Sequence, residues 1–176
     1  KEIGKKIRYV EDVKYSEDLL FGAQMMYMAN SFFYMKGQYF YHYNCWNNNS
    51  TTHTFHKNKW DNYKKLYDET CRCFKNCEEY KFDRQLNLLL LFFVYNAVGD
   101  ILETQIIDKK DKRKIIKDIL SDDIVYKMFQ EIRISRLKIS KKLKIQTYLY
   151  KYKRGVGMLI IWHQRKNENI SNYSSL

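Results

Sequence analysis

Apolar residues recur along this chain at helical spacing, and nothing in it suggests the turn-rich pattern of an all-β fold. Ser16, followed by Glu17 and Asp18, signals a helix start. Leu19, Leu20, Ala23, Met26, Tyr27, Asn30, Phe33 and Tyr34 then fall at helical intervals, which predicts a helix to about Tyr43. Residues 44–54 (NCWNNNSTTHT) read as a loop. Trp60, Tyr63, Leu66, Tyr67, Cys71 and Phe74 define one face of a second helix over about 59–78. The third helix, about 83–107, is the most apolar. A charged corner follows at 109–114. Shorter helices are expected over about 113–120 and 122–134, with Ser121-Asp122-Asp123 supplying an N-cap between them. Residues 135–146 read as a loop or frayed turn, and a long final helix is expected over about 145–166.

The pattern predicts an all-α chain: an N-terminal arm over 1–15 and a single helical domain over 16–176, with no internal repeat. Proline is absent, so nothing breaks long helices. The longest apolar run, Leu88 to Tyr95, is too short to cross a bilayer, and the mean hydropathy is clearly negative. No membrane association is expected on that ground.

Charge changes the picture. The formal net charge is +12, and it is concentrated near one end. No acidic residue lies between Glu131 and Glu168, while that interval holds Arg133, Arg136, Lys138, Lys141, Lys142, Lys144, Lys151, Lys153, Arg154, Arg165 and Lys166. The remainder is near neutral. A basic zone on a neutral body is what a polyanion-binding surface requires, so these eleven residues are the candidate RNA contacts. An anionic lipid surface is the rival partner.

Other chemistry is sparse. The spacing of Cys71, Cys73 and Cys77 fits no common zinc site, and Cys45 stands apart. Reduced thiols on the sides of a helix are the simplest reading. A metal cluster with His53 and His56, or disulfides in an exported domain, are the alternatives. His42 and His163 stand alone and read as structural or surface residues. There is no Gly-rich phosphate loop and no serine nucleophile elbow. No cofactor and no metal are expected. Tyr148, Tyr150 and Tyr152 interleave with Lys151 and Lys153, and on a helix such alternate residues point to different sides.

Two stretches resemble the signature helices of Mini-ribonuclease III, a compact branch of the RNase III family that lacks the double-strand RNA-binding domain. The first signature, approximately L-A-Y-I-G-D-A-x-[FY]-E-x-Y-V-R, is similar to residues 24–36 (QMMYMANSFFYMK), which share Tyr27, the small Ala29 and the aromatic Phe33. The second, approximately Q-T-Y-R-Y-[AS]-T-A-F-E-A-L-x-G-Y-L, is similar to residues 146–161 (QTYLYKYKRGVGMLII) through Gln146-Thr147-Tyr148 and Tyr150. The family's basic R-G-R-N loop would correspond to Arg133-Ile134-Ser135-Arg136. The resemblance covers about a third of the chain; the middle, about 47–125, is enlarged and matches poorly.

The resemblance implies an RNase III-like helical fold, and its departures imply a lost activity. The family's chemistry needs carboxylates from both signature helices to hold Mg²⁺. Here those positions are Asn30 and Gly155, an amide without charge and a residue without a side chain. The implied protein is not an enzyme but a structural RNA-binding component of a large ribonucleoprotein, a mitochondrial ribosome being the expected setting and mitochondria the expected location. Its partners would be rRNA, neighbouring subunits, and a like or unlike RNase III-like chain docked through the 16–43 helix. Two other expectations stand beside it. One is a helical protein-interaction module without nucleic acid, such as an exported or surface domain of a protozoan parasite. The other is an active endonuclease using Asp100 and Glu103, one helical turn apart in Val98-Gly99-Asp100-Ile101-Leu102-Glu103, which also resembles the Gly-Asp signature.

Overall fold

A computed structural model describes residues 2–7, 9–37, 56–153 and 156–157, and every element among them is helical. The chain divides into two compact units, residues 1–79 and 80–176. No Pro- or Gly-rich linker marks the boundary, so the sequence carries no signal for it.

The first unit contains α1 (Glu2–Lys6), α2 (Glu17–Met28) and α3 (Lys59–Phe74), with α2 packed on both others. The segment expected to be an arm is instead part of this packing. Ile7, Val13 and Tyr15 are buried because they supply apolar surface that α2 and α3 alone lack. Its backbone is also tied to α3: Lys65 Nζ donates to Glu11 O at 2.7 Å, and Lys14 N–H donates to Asn62 Oδ1 at 3.1 Å. α3 buries Tyr63, Leu66, Thr70 and Phe74, close to the expected face. The Thr70 hydroxyl is satisfied in the core by donating to Leu66 O at 2.7 Å.

α2 departs most from expectation. Ser16 sits in the left-handed region (φ 55°) and makes no side-chain cap, so Glu17 and Asp18 alone favour the positive helix end. The helix stops at Met28, and Ala29 is extended (φ −83°, ψ 129°). Asn30 and Ser31 follow, residues whose side chains compete for backbone hydrogen bonds and favour helix exit. Beyond them Phe32, Phe33 and Tyr34 are 71%, 87% and 84% exposed, so no buried face supports a continuing helix. Residues 38–55, which hold the rest of the expected helix and the expected loop, lie outside the described residues.

The second unit is organised on α4 (Asp83–Glu103), which packs against α5 (Lys109–Ser121) and α6 (Asp123–Glu131). Leu86, Leu90, Phe93, Val94, Ala97, Val98 and Ile101 recur at three- and four-residue steps and are all buried. Ile116, Ile119 and Leu120 of α5 and Val125, Met128 and Phe129 of α6 complete this core. By length and composition α4 could cross a membrane, contrary to the estimate from its longest apolar run, yet half of its most apolar window is buried within the fold. The charged corner at 109–114 is the first half of α5, started by Asp108, whose Oδ1 accepts from Asp111 N at 2.8 Å. Asp122 caps α6 in the same way through Ile124 N. A 3₁₀ turn (Ile134–Arg136) then leads to α7 (Lys141–Tyr152). α7 begins four residues earlier than expected because Ser140 Oγ accepts from Leu143 N at 3.3 Å. It ends at Lys153, which adopts φ 54°.

Two polar side chains fasten the second unit, one buried and one half-buried. Lys112 is 4% exposed, and its ammonium donates to Leu102 O at 3.0 Å and to Thr104 O, carbonyls that the end of α4 leaves without helical partners. Burial lowers its pKa. Tyr95 of α4 donates to Leu143 O at 2.8 Å and pairs with the Thr147 hydroxyl, joining α4 to α7. Its ring lies 5.4 Å from that of Tyr150, which is fully buried and accepts from Gln146.

These features set three outcomes. Phe93→Ala is expected to cost about 3–5 kcal/mol, read from the urea midpoint. Lys112→Ala is expected to cost about 2 kcal/mol, since it strands two buried carbonyls as well as removing a side chain. The third concerns alkaline pH. Burial raises the phenols of Tyr95 and Tyr150 above their ordinary value. The native state therefore holds these protons where the unfolded chain releases them, from about pH 10 upward. Their stabilisation is complete below that pH and is lost as it rises. The urea midpoint should fall more between pH 9 and 11 in the native sequence than in Tyr150→Phe, the opposing contribution of Lys112 being common to both. Parallel curves would contradict the assignment.

Candidate nucleic-acid interface

The stretch from Ile132 to Lys142 shows how a short sequence can be both anchored and basic. Ile132, Ile134 and Leu137 are buried (8%, 3% and 7% exposed) and pin the chain to the second unit. The 3₁₀ turn is closed by Arg136 N to Arg133 O at 2.9 Å and Leu137 N to Ile134 O at 3.1 Å. With those three apolar residues turned inward, Arg133, Arg136 and Lys138 are turned to solvent. Lys141 and Lys142 are exposed on the first turn of α7, which carries no acidic residue. Lysines at a helix N-terminus oppose the macrodipole, so this turn is locally strongly positive.

Among the described residues, Lys144, Lys151 and Lys153 are used internally instead. Lys144 Nζ donates to Ser135 O at 3.0 Å, bracing the turn against α7. Lys151 Nζ donates to Phe129 O at 2.7 Å, satisfying a carbonyl in the last turn of α6. Lys153 Nζ donates to Ser121 Oγ at 3.1 Å, at the end of α5. A count of charges cannot separate these from the outward ones, because their acceptors are backbone and hydroxyl oxygens 9, 22 and 32 residues away. Arg154, Arg165 and Lys166 lie outside the described residues.

Of the three tyrosines, Tyr150 points inward while Tyr148 and Tyr152 are exposed. With Lys141 and Ile145 they fall on one stripe of α7. Arg133 and Arg136 also line a cavity of about 550 Å³ with Arg84 of α4, a residue outside the acid-free interval that charge clustering had missed. Among the described residues none of these three guanidiniums has a hydrogen bond or ion pair.

The positions tied to catalysis fare differently. Asn30 lies two residues past the end of α2 and is exposed, so it is not carried on a helix. Gly155 lies outside the described residues. Asp100 is half-buried and Glu103 exposed near the end of α4. Among the described residues no three His, Cys, Asp or Glu side chains come together in a group able to hold a metal ion. Cys71, Cys73 and Cys77 are thiols outside any disulfide, with burial raising the pKa of Cys71 and Cys73. The Cys77 sulfur lies 3.1 Å from Tyr27 Oη. The ring of His56 packs against Tyr15 at 5.2 Å. Cys45, His42, His53 and His163 lie outside the described residues. No family model, curated protein or solved structure matches the chain.

The internal and outward lysines separate in experiment. Lys151→Ala is expected to lower stability by about 1 kcal/mol, the scale of one net hydrogen bond. A matching loss in Lys138→Ala, whose ammonium faces solvent, would contradict the division.

Proposed function

We propose that this chain is a non-catalytic RNA-binding protein that neutralises phosphates with the strip Arg133, Arg136, Lys138, Lys141 and Lys142. The observation that carries the reading is the alternation at 132–138. Buried Ile132, Ile134 and Leu137 hold a backbone from which the basic side chains reach solvent. A strip held in this way loses less conformational freedom on meeting a polyanion than a disordered tail would. In its fuller form the proposal is a structural component of a large ribonucleoprotein such as a mitochondrial ribosome. It rests on the likeness to RNase III signatures together with Asn30 and Gly155, which would leave such a fold without its metal-binding acids.

A second reading has its own support. Met26, Phe32, Phe33, Tyr34 and Met35 are all exposed within ten residues of the first unit, a concentration suited to a protein partner. It is compatible with the first, because it uses a different unit.

The test is a titration of single-stranded RNA at several salt concentrations. Four to five phosphate contacts give a slope of about −3 in log affinity against log salt. Replacing Arg133, Arg136, Lys138, Lys141 and Lys142 together by Ala should reduce that slope to near zero. Salt-independent binding, or binding to anionic vesicles and not to RNA, would overturn the proposal.

A further inference from the structure

The cavity beside the strip has a lining that phosphate neutralisation alone does not use. Asp83, Arg84, Asn87 and Leu88 come from the first two turns of α4, Glu131 from the end of α6, and Ile132, Arg133, Arg136 and Leu137 from the segment that follows. All belong to the second unit. At about 550 Å³ the space is within the range of small-ligand sites.

Its chemistry has three parts. Arg84, Arg133 and Arg136 supply three guanidiniums without hydrogen-bond or ion-pair partners among the described residues. Leu88, Ile132 and Leu137 supply apolar wall. Asn87 Nδ2 donates to Glu131 Oε2 at 2.7 Å, which fixes the carboxylate and leaves Glu131 Oε1 and Asn87 Oδ1 as adjacent acceptors. A simple anion would answer the arginines but face repulsion from Asp83 and Glu131. A simple cation would meet the reverse. The lining suits a ligand that joins a negative group, an apolar body and a hydrogen-bond donor.

We infer that this cavity holds one nucleotide of a bound single-stranded RNA, with its phosphate on Arg84, Arg133 and Arg136 and an amine-bearing base against the Asn87–Glu131 pair. The inference rests on the RNA-binding reading above and adds base selectivity to it. A peptide also carries both signs of charge. The nucleotide is favoured because Arg133 and Arg136 belong at once to the cavity and to the basic strip, so a phosphodiester chain can follow one into the other. Cytosine and uracil separate the cases cleanly: they match in size, and where cytosine presents an N4 amine, uracil presents an O4 acceptor. An acceptor set against Glu131 Oε1 is repelled.

The test compares oligo(rC) and oligo(rU) of equal length, by fluorescence anisotropy, on the full chain. The native sequence should bind oligo(rC) about tenfold more tightly, the usual scale for one specific base contact. Glu131→Gln places an amide donor beside uracil O4 and should bring the ratio to about one. Glu131 is an exposed helix-end residue, so this variant is expected to fold, which its circular dichroism and urea midpoint check. Lys138→Ala, on the strip alone, should weaken both oligomers equally. Equal binding of the two oligomers by the native sequence, or a preference that survives Glu131→Gln, would overturn the cavity assignment while steep salt dependence left the strip standing. Loss of salt-dependent RNA binding altogether would end both readings. Free CMP that displaced oligo(rC) at equal concentration would overturn RNA as the occupant and assign the cavity to a free nucleotide.

Discussion

Burial of one face of α4 is the constraint on which the second unit depends. Leu90, Phe93, Val94 and Val98 are at most 1% exposed, and α4 packs against both α5 and α6. A helix this apolar cannot rest in water on its own, and two short amphipathic helices with basic and acidic outer faces solve the problem. Polar side chains gather at the two ends of α4. At the C-terminal end Lys112 enters the interior to satisfy carbonyls that packing has taken away from water. At the other, Asp83, Arg84 and Asn87 open into the cavity.

The basic segment inherits its rigidity from that core. Its apolar residues at 132, 134 and 137 are extensions of the same burial, and its geometry is then locked by Lys144 to Ser135 O and by the Ser140 cap. Function and stability therefore draw on the same residue type in the same stretch. Lys144 and Lys151 hold helices and turns together by capping carbonyls, whereas Lys138 and Lys141 have their charge in solvent, where a phosphate can reach it. A cation near a helix C-terminus stabilises the fold, while one near an N-terminus costs a little and makes an anion welcome.

The first unit follows a different economy. Among the described residues, its buried apolar side chains include Ile7, Val13 and Tyr15 of the N-terminal segment. Such a unit cannot leave that segment loose without losing part of its buried area. The exposed aromatics past Met28 show the converse: where no facing element among the described residues covers them, apolar periodicity alone does not sustain a helix.

The sequence by itself determined the helical class, the apolar character of α4, the Asp122 boundary between α5 and α6, and the acid-free basic interval. Each of these is written in spacing or charge within a few residues, which is the range over which periodicity and capping operate. Only the tertiary structure decided that α2 ends at Met28, that the segment up to Tyr15 is packed, that Lys144, Lys151 and Lys153 serve the fold, and that Arg84 joins Arg133 and Arg136 around one cavity. Those outcomes depend on which surfaces and carbonyls meet after the chain has folded back on itself. No local pattern encodes a partner that lies tens of residues away.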